Sequence, residues 1–242
     1  MTPSIRSTAT SLYVRTAQGL GRLLVRLRCL PASAPARERR VRHWLYSLVF
    51  PFDAVGLLGL DVPWWTYDAI DAVDSWLTNR DGATRVFEYG SGASTVWLAA
   101  RADEVHSVEN DPGFAALMTP HLARADNVTQ HVVPAVASEA PVIGSAKAGY
   151  GGLDFADYVA TIDAVGGEFE LIVIDGRARE ACLQAALAHL APDGVIVFDN
   201  TRRRRYRDAI ARTDLVEQRL TGLTPTLPYP DTTSLLRRRA VR

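Results

Sequence analysis

Two spacings alternate along most of this 242-residue chain. Short apolar runs at 86–89, 104–109, 127–133, 169–174 and 195–198 are rich in β-branched and aromatic residues and predict strands. Between them, apolar positions recurring every three or four residues predict helices over 63–78, 93–99, 112–122, 154–162 and 181–190. In the first of these, Ile70, Val73, Trp76 and Leu77 share a packing face and leave Asp71 and Asp74 toward water. Asp111 is placed to cap the third, with Pro112 at its first helical position and Pro120 expected to shorten or kink it. Strands alternating with helices at this spacing predict right-handed crossovers and a parallel sheet covered on both faces. Two further strands are expected at 215–220 and 232–236, around the proline-bounded loop 225–230. Residues 134–152 show no periodicity and read as a loop long enough to be functional.

The punctuation between these elements carries the chemistry. Gly90 and Gly92 follow the first strand directly, a turn that permits positive φ and lets a ligand approach the backbone. Four of the strands end in acids, Glu88, Glu109, Asp175 and Asp199. In a parallel sheet these ends converge on one edge, so the four form one constellation. Glu109 lies 21 residues after Glu88, the distance at which nucleoside binders hold a ribose. Trp64, Trp65 and Tyr67 fit either a roof over the crevice or ordinary core. His43, His106, His121, His131 and His189 have no ligand spacing, and Cys182 reads as a small buried side chain.

Charge changes the picture at both ends. The net charge is zero, yet residues 1–42 hold nine arginines and one acid, and residues 201–242 eleven arginines and four acids. The acidic centre argues against a nucleic-acid groove across the crevice. Within 11–30, Leu20, Leu23, Leu24 and Leu27 oppose Arg22 and Arg26, a basic amphipathic pattern interrupted by Gly19 and Gly21. It suits a helix packed on the domain or frayed from it, a transit peptide, or peripheral membrane contact through residues 1–42. Residues 31–36 read as a linker. The chain therefore divides into an extension, 1–42, and one domain, 43–242. No apolar run reaches the roughly 18 residues of a membrane span. Two cysteines give no disulfide framework, which fits a reducing cytoplasm. One lysine, Lys147, against 26 arginines points to G+C-rich coding and a bacterial source. The run Arg202 to Arg207 reads either as a solvated helix face or as recognition of a phosphate or carboxylate on a small-molecule substrate.

Glu88-Tyr89-Gly90-Ser91-Gly92 with Glu109 resembles the first two motifs of class I S-adenosylmethionine-dependent methyltransferases. Residues 174–179 and 198–200 look like that family's fourth and fifth strand ends, and the whole resemblance spans about residues 63–239. It implies a doubly wound, seven-stranded, mostly parallel α/β sheet closed by an antiparallel hairpin. It also implies S-adenosyl-L-methionine as cofactor, bound by Glu88, Gly90, Gly92, Ser94, Glu109 and Asp175, with Glu88 toward the amino-acid end and Glu109 on the ribose hydroxyls. Near 135–138, where the family contacts adenine, no acid or amide stands ready. Asp175, Asp199 and Asn200 resemble the Mg²⁺ triad of catechol-type O-methyltransferases, whose metal activates the acceptor hydroxyl. Asp175 and Asp199 are then the catalytic candidates. The lysine base that follows by three residues in those enzymes is Ala178 here, between Arg177 and Arg179.

The expectation is methyl transfer to a small molecule, at oxygen. Two other readings stay open. One is a non-catalytic cofactor-binding protein with a membrane-surface N-terminus. The other is a nucleotide-dependent oxidoreductase, against which Thr95 stands where a dinucleotide fingerprint has its third glycine.

Overall fold

Alternate residues of the central strands face opposite ways, and both directions are apolar. The computed structural model describes residues 27, 31, 33–49 and 54–239. Apart from residue 27, the helix expected at 11–30 and any membrane contact it makes lie outside the described residues. Five strands run parallel: β1 (Arg85–Tyr89), β2 (Glu104–Glu109), β3 (Val128–Val132), and those expected at 169 and 195, which are β6 (Phe169–Ile174) and β7 (Leu190–Phe198). The short β4 (Val136–Ala137), inside the loop expected at 134–152, pairs with β5 (Leu153–Asp154) just beyond it. β8 (Val216–Gly222) and β9 (Asp231–Arg237) complete the main sheet, in the order β3-β2-β1-β6-β7-β9-β8, with β9 antiparallel to both neighbours. The seven-stranded, mostly parallel sheet with a closing antiparallel hairpin is as expected.

Register turns the alternation into two cores. Phe87, Ile172 and Ile196 lie side by side, as do Tyr89, Ile174 and Phe198. This face packs on α6 (Ala156–Val165), α7 (Arg179–His189) and α8 (Arg204–Ile210). Val86, Leu171 and Val195 face the other way, against α3 (Tyr67–Thr78) and α4 (Ala93–Ala99). Trp65 and Tyr67 are buried in that second core. α1 (Arg40–Ser47) and α2 (Ala54–Leu58) precede α3, and α5 (Pro112–Leu122) follows β2.

Some local expectations shift. α3 begins at Tyr67 rather than Pro63, with extended Thr66 at its N-cap. α6 starts two residues late, because Asp154 is held in β5 and accepts backbone N–H groups from Val142, Ile143 and Ala156. α7 starts two residues early. α5 runs its full expected length with Pro120 inside it, capped by Asp111, which accepts from Gly113 and Phe114. Leu190 pairs with Phe169 and Val195 with Leu171, so the expected turn at 192–194 loops out of the ladder. The acids of α3 do not face water alone: Arg37 pairs with Asp71 and Asp74, and Arg40 with Asp68 and Asp71. No helix of the described residues is long and apolar enough to cross a membrane.

Ile172 sits fully buried on a central strand. Ile172→Ala is expected to lower unfolding free energy by about 2–5 kcal/mol through lost transfer and a residual cavity. Denaturant titration measures this, and a loss well under 1 kcal/mol would show that the sheet centre can collapse around the gap.

Candidate functional site

The strand order reverses between β1 and β6, and at such a switch point the loops after neighbouring strands diverge and leave a crevice. A cavity of about 300 Å³ opens there. Its walls come from the three strand ends: 90–94 after β1, 109–111 after β2 and 175–177 after β6. The floor is main chain against main chain. Gly90 has φ +104, and a Cβ on it would lie 2.8 Å from the Gly176 backbone. A Cβ on Gly176 would lie 2.0 Å from the Tyr158 hydroxyl and 3.0 Å from the Tyr89 backbone. Glycine is required at both positions for the two loops to touch.

Beneath this floor, strand alternation turns Glu88 toward α4, where it is fully buried. Among the described residues no arginine or lysine pairs with it. Ser94 Oγ donates to Oε1, and Thr95 Oγ1 and Ser107 Oγ both donate to Oε2, the last at 2.8 Å. Thr95 Oγ1 also accepts the Gly92 N–H at 2.9 Å, and Ser91 Oγ lies 2.8 Å from Ser107 Oγ. The polar side chains of the glycine motif thus converge on one carboxylate. Thr95 stands where a dinucleotide fingerprint has glycine because its hydroxyl ties the turn to Glu88. Burial raises the proton affinity of Glu88, the three hydroxyls oppose this, and the nearby Asp175 adds to it, leaving the carboxyl at about 7.

Gly90, Gly92, Ser94, Glu109 and Asp175 line the cavity, whereas Glu88 reaches it only through Ser94. Glu109 is nearly buried; Oε1 accepts the Asp111 N–H at 2.7 Å. Burial raises its proton affinity against the pull of the Asp111 and Asn110 N–H groups and the Arg177 charge. Sequence reasoning missed Leu57, Phe114, Tyr150 and Arg177, all on the cavity wall, and left Trp64 open between roof and core. Trp64 lines the cavity and donates to Thr226 Oγ1 at 2.8 Å. Phe114 had a signal, as the third residue of a capped helix following β2. Leu57 and Tyr150 come from segments without periodicity and had none.

At the ends of β6 and β7 the buried residue is a cation. Arg179 donates Nη2 to Asp175 Oδ1 (2.7 Å) and to the Asp175 carbonyl (2.6 Å), Nη1 to the Asp199 carbonyl (2.7 Å), and Nε to the Gly176 carbonyl (3.1 Å). Asp199 Oδ2 stands 3.9 Å from Arg179 Nη1. Both acids have raised proton affinities, Asp199 by burial and then by the charge of Asp175.

This arrangement lends the expected metal set no support. Asn200, at φ 57, turns its amide nitrogen, a donor, to Asp199 Oδ2 (2.6 Å) and Asp231 Oδ2 (2.9 Å). Thr233 donates to Asp199 Oδ1 at 2.7 Å. With a guanidinium fixed between Asp175 and Asp199 and no side-chain oxygen of Asp199 free, Asp175, Asp199 and Asn200 do not fit Mg²⁺. No cluster of three or more His, Cys, Asp or Glu suited to a metal occurs among the described residues.

The geometry has counterparts in known proteins. A family model described as a methyltransferase domain matches residues 87–201, which run from β1 through the end of β7. Over those residues the chain is similar to a methyltransferase domain. The fold agrees: a cofactor-bound structure of Rv0187 from MTB superimposes with a TM-score of 0.51 at 20% identity, over 96% of this chain and 91% of that one. A precorrin-6y C5,15-methyltransferase from Geobacter metallireducens (TM-score 0.48, 13% identity, 71% and 88% covered) is also similar. So is the N-methyltransferase NodS from Bradyrhizobium japonicum (TM-score 0.48, 14%, 70% and 94%). No curated protein matches the chain. The cavity occupies the switch point where doubly wound sheets hold their ligands.

Glu88 gives the domain a pH signature. Between about pH 4.5 and 7 the folded state keeps a proton that the unfolded chain has released, so this group makes stability fall as pH rises through that window, by on the order of 3 kcal/mol. Glu88→Gln is expected to remove that component from thermal midpoints measured from pH 4.5 to 7. Curves parallel to those of the unsubstituted protein would show that Glu88 titrates normally.

Proposed function

We propose that the chain transfers the methyl group of S-adenosylmethionine to an oxygen of a small molecule. The observation that carries this reading is the backbone-floored cavity at the switch point, with Glu109 on its rim. Its volume of about 300 Å³ is within the range of small-molecule sites. Its carboxylates, Glu109, Asp111 and Asp175, suit a cationic ligand without phosphates. When bound, the cofactor supplies an electrophilic methyl group on a sulfonium.

The chain's own residues then have distinct tasks. Glu109, on the cavity wall, is suited to accept from the two ribose hydroxyls. Leu57, Trp64 and Phe114 offer an apolar wall to the adenine, in place of the 135–138 segment, whose Val136 and Ala137 stand in β4 away from the cavity. Glu88 acts at one remove, orienting Ser94 and the Gly92 turn. Asp175 would act as the base, taking the proton of the acceptor hydroxyl as its oxygen accepts the methyl group. Burial raises the affinity of Asp175 for that proton, while Arg179 and Arg177 restrain it. Asp199, away from the cavity, is a positioning residue that steadies Arg179 and through it Asp175. Catalysis otherwise rests on holding acceptor oxygen, methyl and sulfur in line.

Two measurements test this. Calorimetry is expected to show S-adenosylhomocysteine binding and no NAD(H) binding. Gly92→Val is expected to weaken the former at least about 100-fold with an unchanged melting temperature, because a Cβ there meets only Ser94 Oγ, at 4.0 Å. Normal affinity in that variant would place the donor elsewhere. Asp175→Asn is expected to lower kcat about 100-fold or more across a panel of hydroxylated acceptors with little change in cofactor affinity. Undiminished kcat would remove Asp175 as the base.

A further inference from the structure

Behind the Gly176–Arg177 backbone lies a second, smaller opening. This cleft, of about 20 Å³, is lined by Lys147 from the 134–152 loop, Arg177 after β6, and Arg203 and Arg205 at the start of α8, with Tyr206 and Glu180. It has the capacity for the oxygens of one terminal group, not for the body of a substrate. Gly176 and Arg177 belong to both openings, so a molecule anchored in the cleft reaches the larger cavity.

The cleft's charge is unbalanced. Its one acid, Glu180, is engaged by Arg205 at 3.3 Å. Arg203 Nη1 and Arg205 Nη2 both donate to a neutral oxygen, the Tyr206 hydroxyl, at 3.3 and 3.1 Å. Among the described residues no carboxylate stands within ion-pair distance of Lys147, Arg177 or Arg203. Arg177 donates Nη1 to its neighbour's carbonyl, and its Nε is buried without a partner. Arg177 and Lys147 both stack on Tyr150, 5.0 and 5.6 Å from the ring centre. Burial, and then the charges of Arg177, Arg179 and Arg203, lower the proton affinity of Lys147. Four like charges gathered around a small opening, with a donor unused, form a receptor for an oxyanion.

We propose that the methyl acceptor is an anionic small molecule whose terminal carboxylate or phosphate is held by Lys147, Arg177, Arg203 and Arg205 in this cleft. The proposal rests on the larger cavity being the methyl-donor site. It also assigns the chain's one lysine, and the arginine run beyond β7, to choosing the substrate.

Thermal-shift titrations of the full chain with inorganic phosphate and with acetate, at constant ionic strength set by chloride, test it. Saturable stabilisation by one of the two is expected, and which one acts identifies the terminal group. R203Q/R205Q and, separately, K147Q alter exposed or half-exposed side chains and are expected to weaken it tenfold or more, leaving S-adenosylhomocysteine affinity unchanged. No saturable effect from either anion, or one indifferent to both variants, would overturn the proposal. S-adenosylhomocysteine binding on the same samples separates the two failures: its absence overturns the donor site, and its presence without an anion effect overturns the cleft alone.

Discussion

A carboxylate buried without a counter-cation is the constraint around which this domain is built. Moving Glu88 out of water is costly unless its lone pairs are satisfied, and the chain satisfies them with three hydroxyls from two elements: Ser94 and Thr95 on α4, and Ser107 on β2. Those bonds draw the start of α4 and the end of β2 onto the end of β1, which fixes the path of the glycine turn between them. The turn in turn sets one wall of the cavity. A basic partner would balance the charge but would bring a long side chain into the same space; hydroxyls are short enough to leave the turn closed.

The opposite wall is fixed by the reverse arrangement, a buried cation among carbonyls and acids. Arg179 bonds the main chain of Asp175, Gly176 and Asp199, so one planar guanidinium joins the ends of β6 and β7. Its contact with Asp175 Oδ1 holds that carboxylate at the cavity. The same geometry lends a divalent cation no support. Of the four strand-end acids that sequence spacing grouped together, Asp175 and Asp199 meet around arginine, while Glu88 is held by hydroxyls and Glu109 stands on the cavity wall.

What the sequence made legible follows from how strongly each feature is encoded locally. Buried strands such as Leu171 to Ile174 announce themselves by continuous apolarity, and a capped helix such as α5 by Asp111 and Pro112, so the sheet and most helices could be anticipated. Gly90 also stands out as a turn glycine, whereas its contact with Gly176 is visible only in the structure. Hydrogen-bond direction was not legible: nothing in the string Asp199-Asn200 says that the amide nitrogen turns toward the carboxylate. Arg177 and Arg179 gave no sign that one would line two openings and the other would lie buried. Tyr150 and Lys147 were hidden for another reason, since their loop is held by tertiary contacts such as Tyr150 with Phe155 and has no period to read. Residues 37–40 were legible as basic but not as partners of α3.

The meeting of Gly90 with Gly176 has a consequence for how such a protein diversifies. A floor made of main chain presents the same surface whatever side chains surround it, and substitution at either glycine closes it instead of reshaping it. Substitution therefore has little room to reshape that side of the crevice. It can act freely on the loop that carries Tyr150 and Lys147 and on the arginines beyond β7, which belong to no shared backbone contact. One half of the crevice is fixed hardware, and the other half is open to revision.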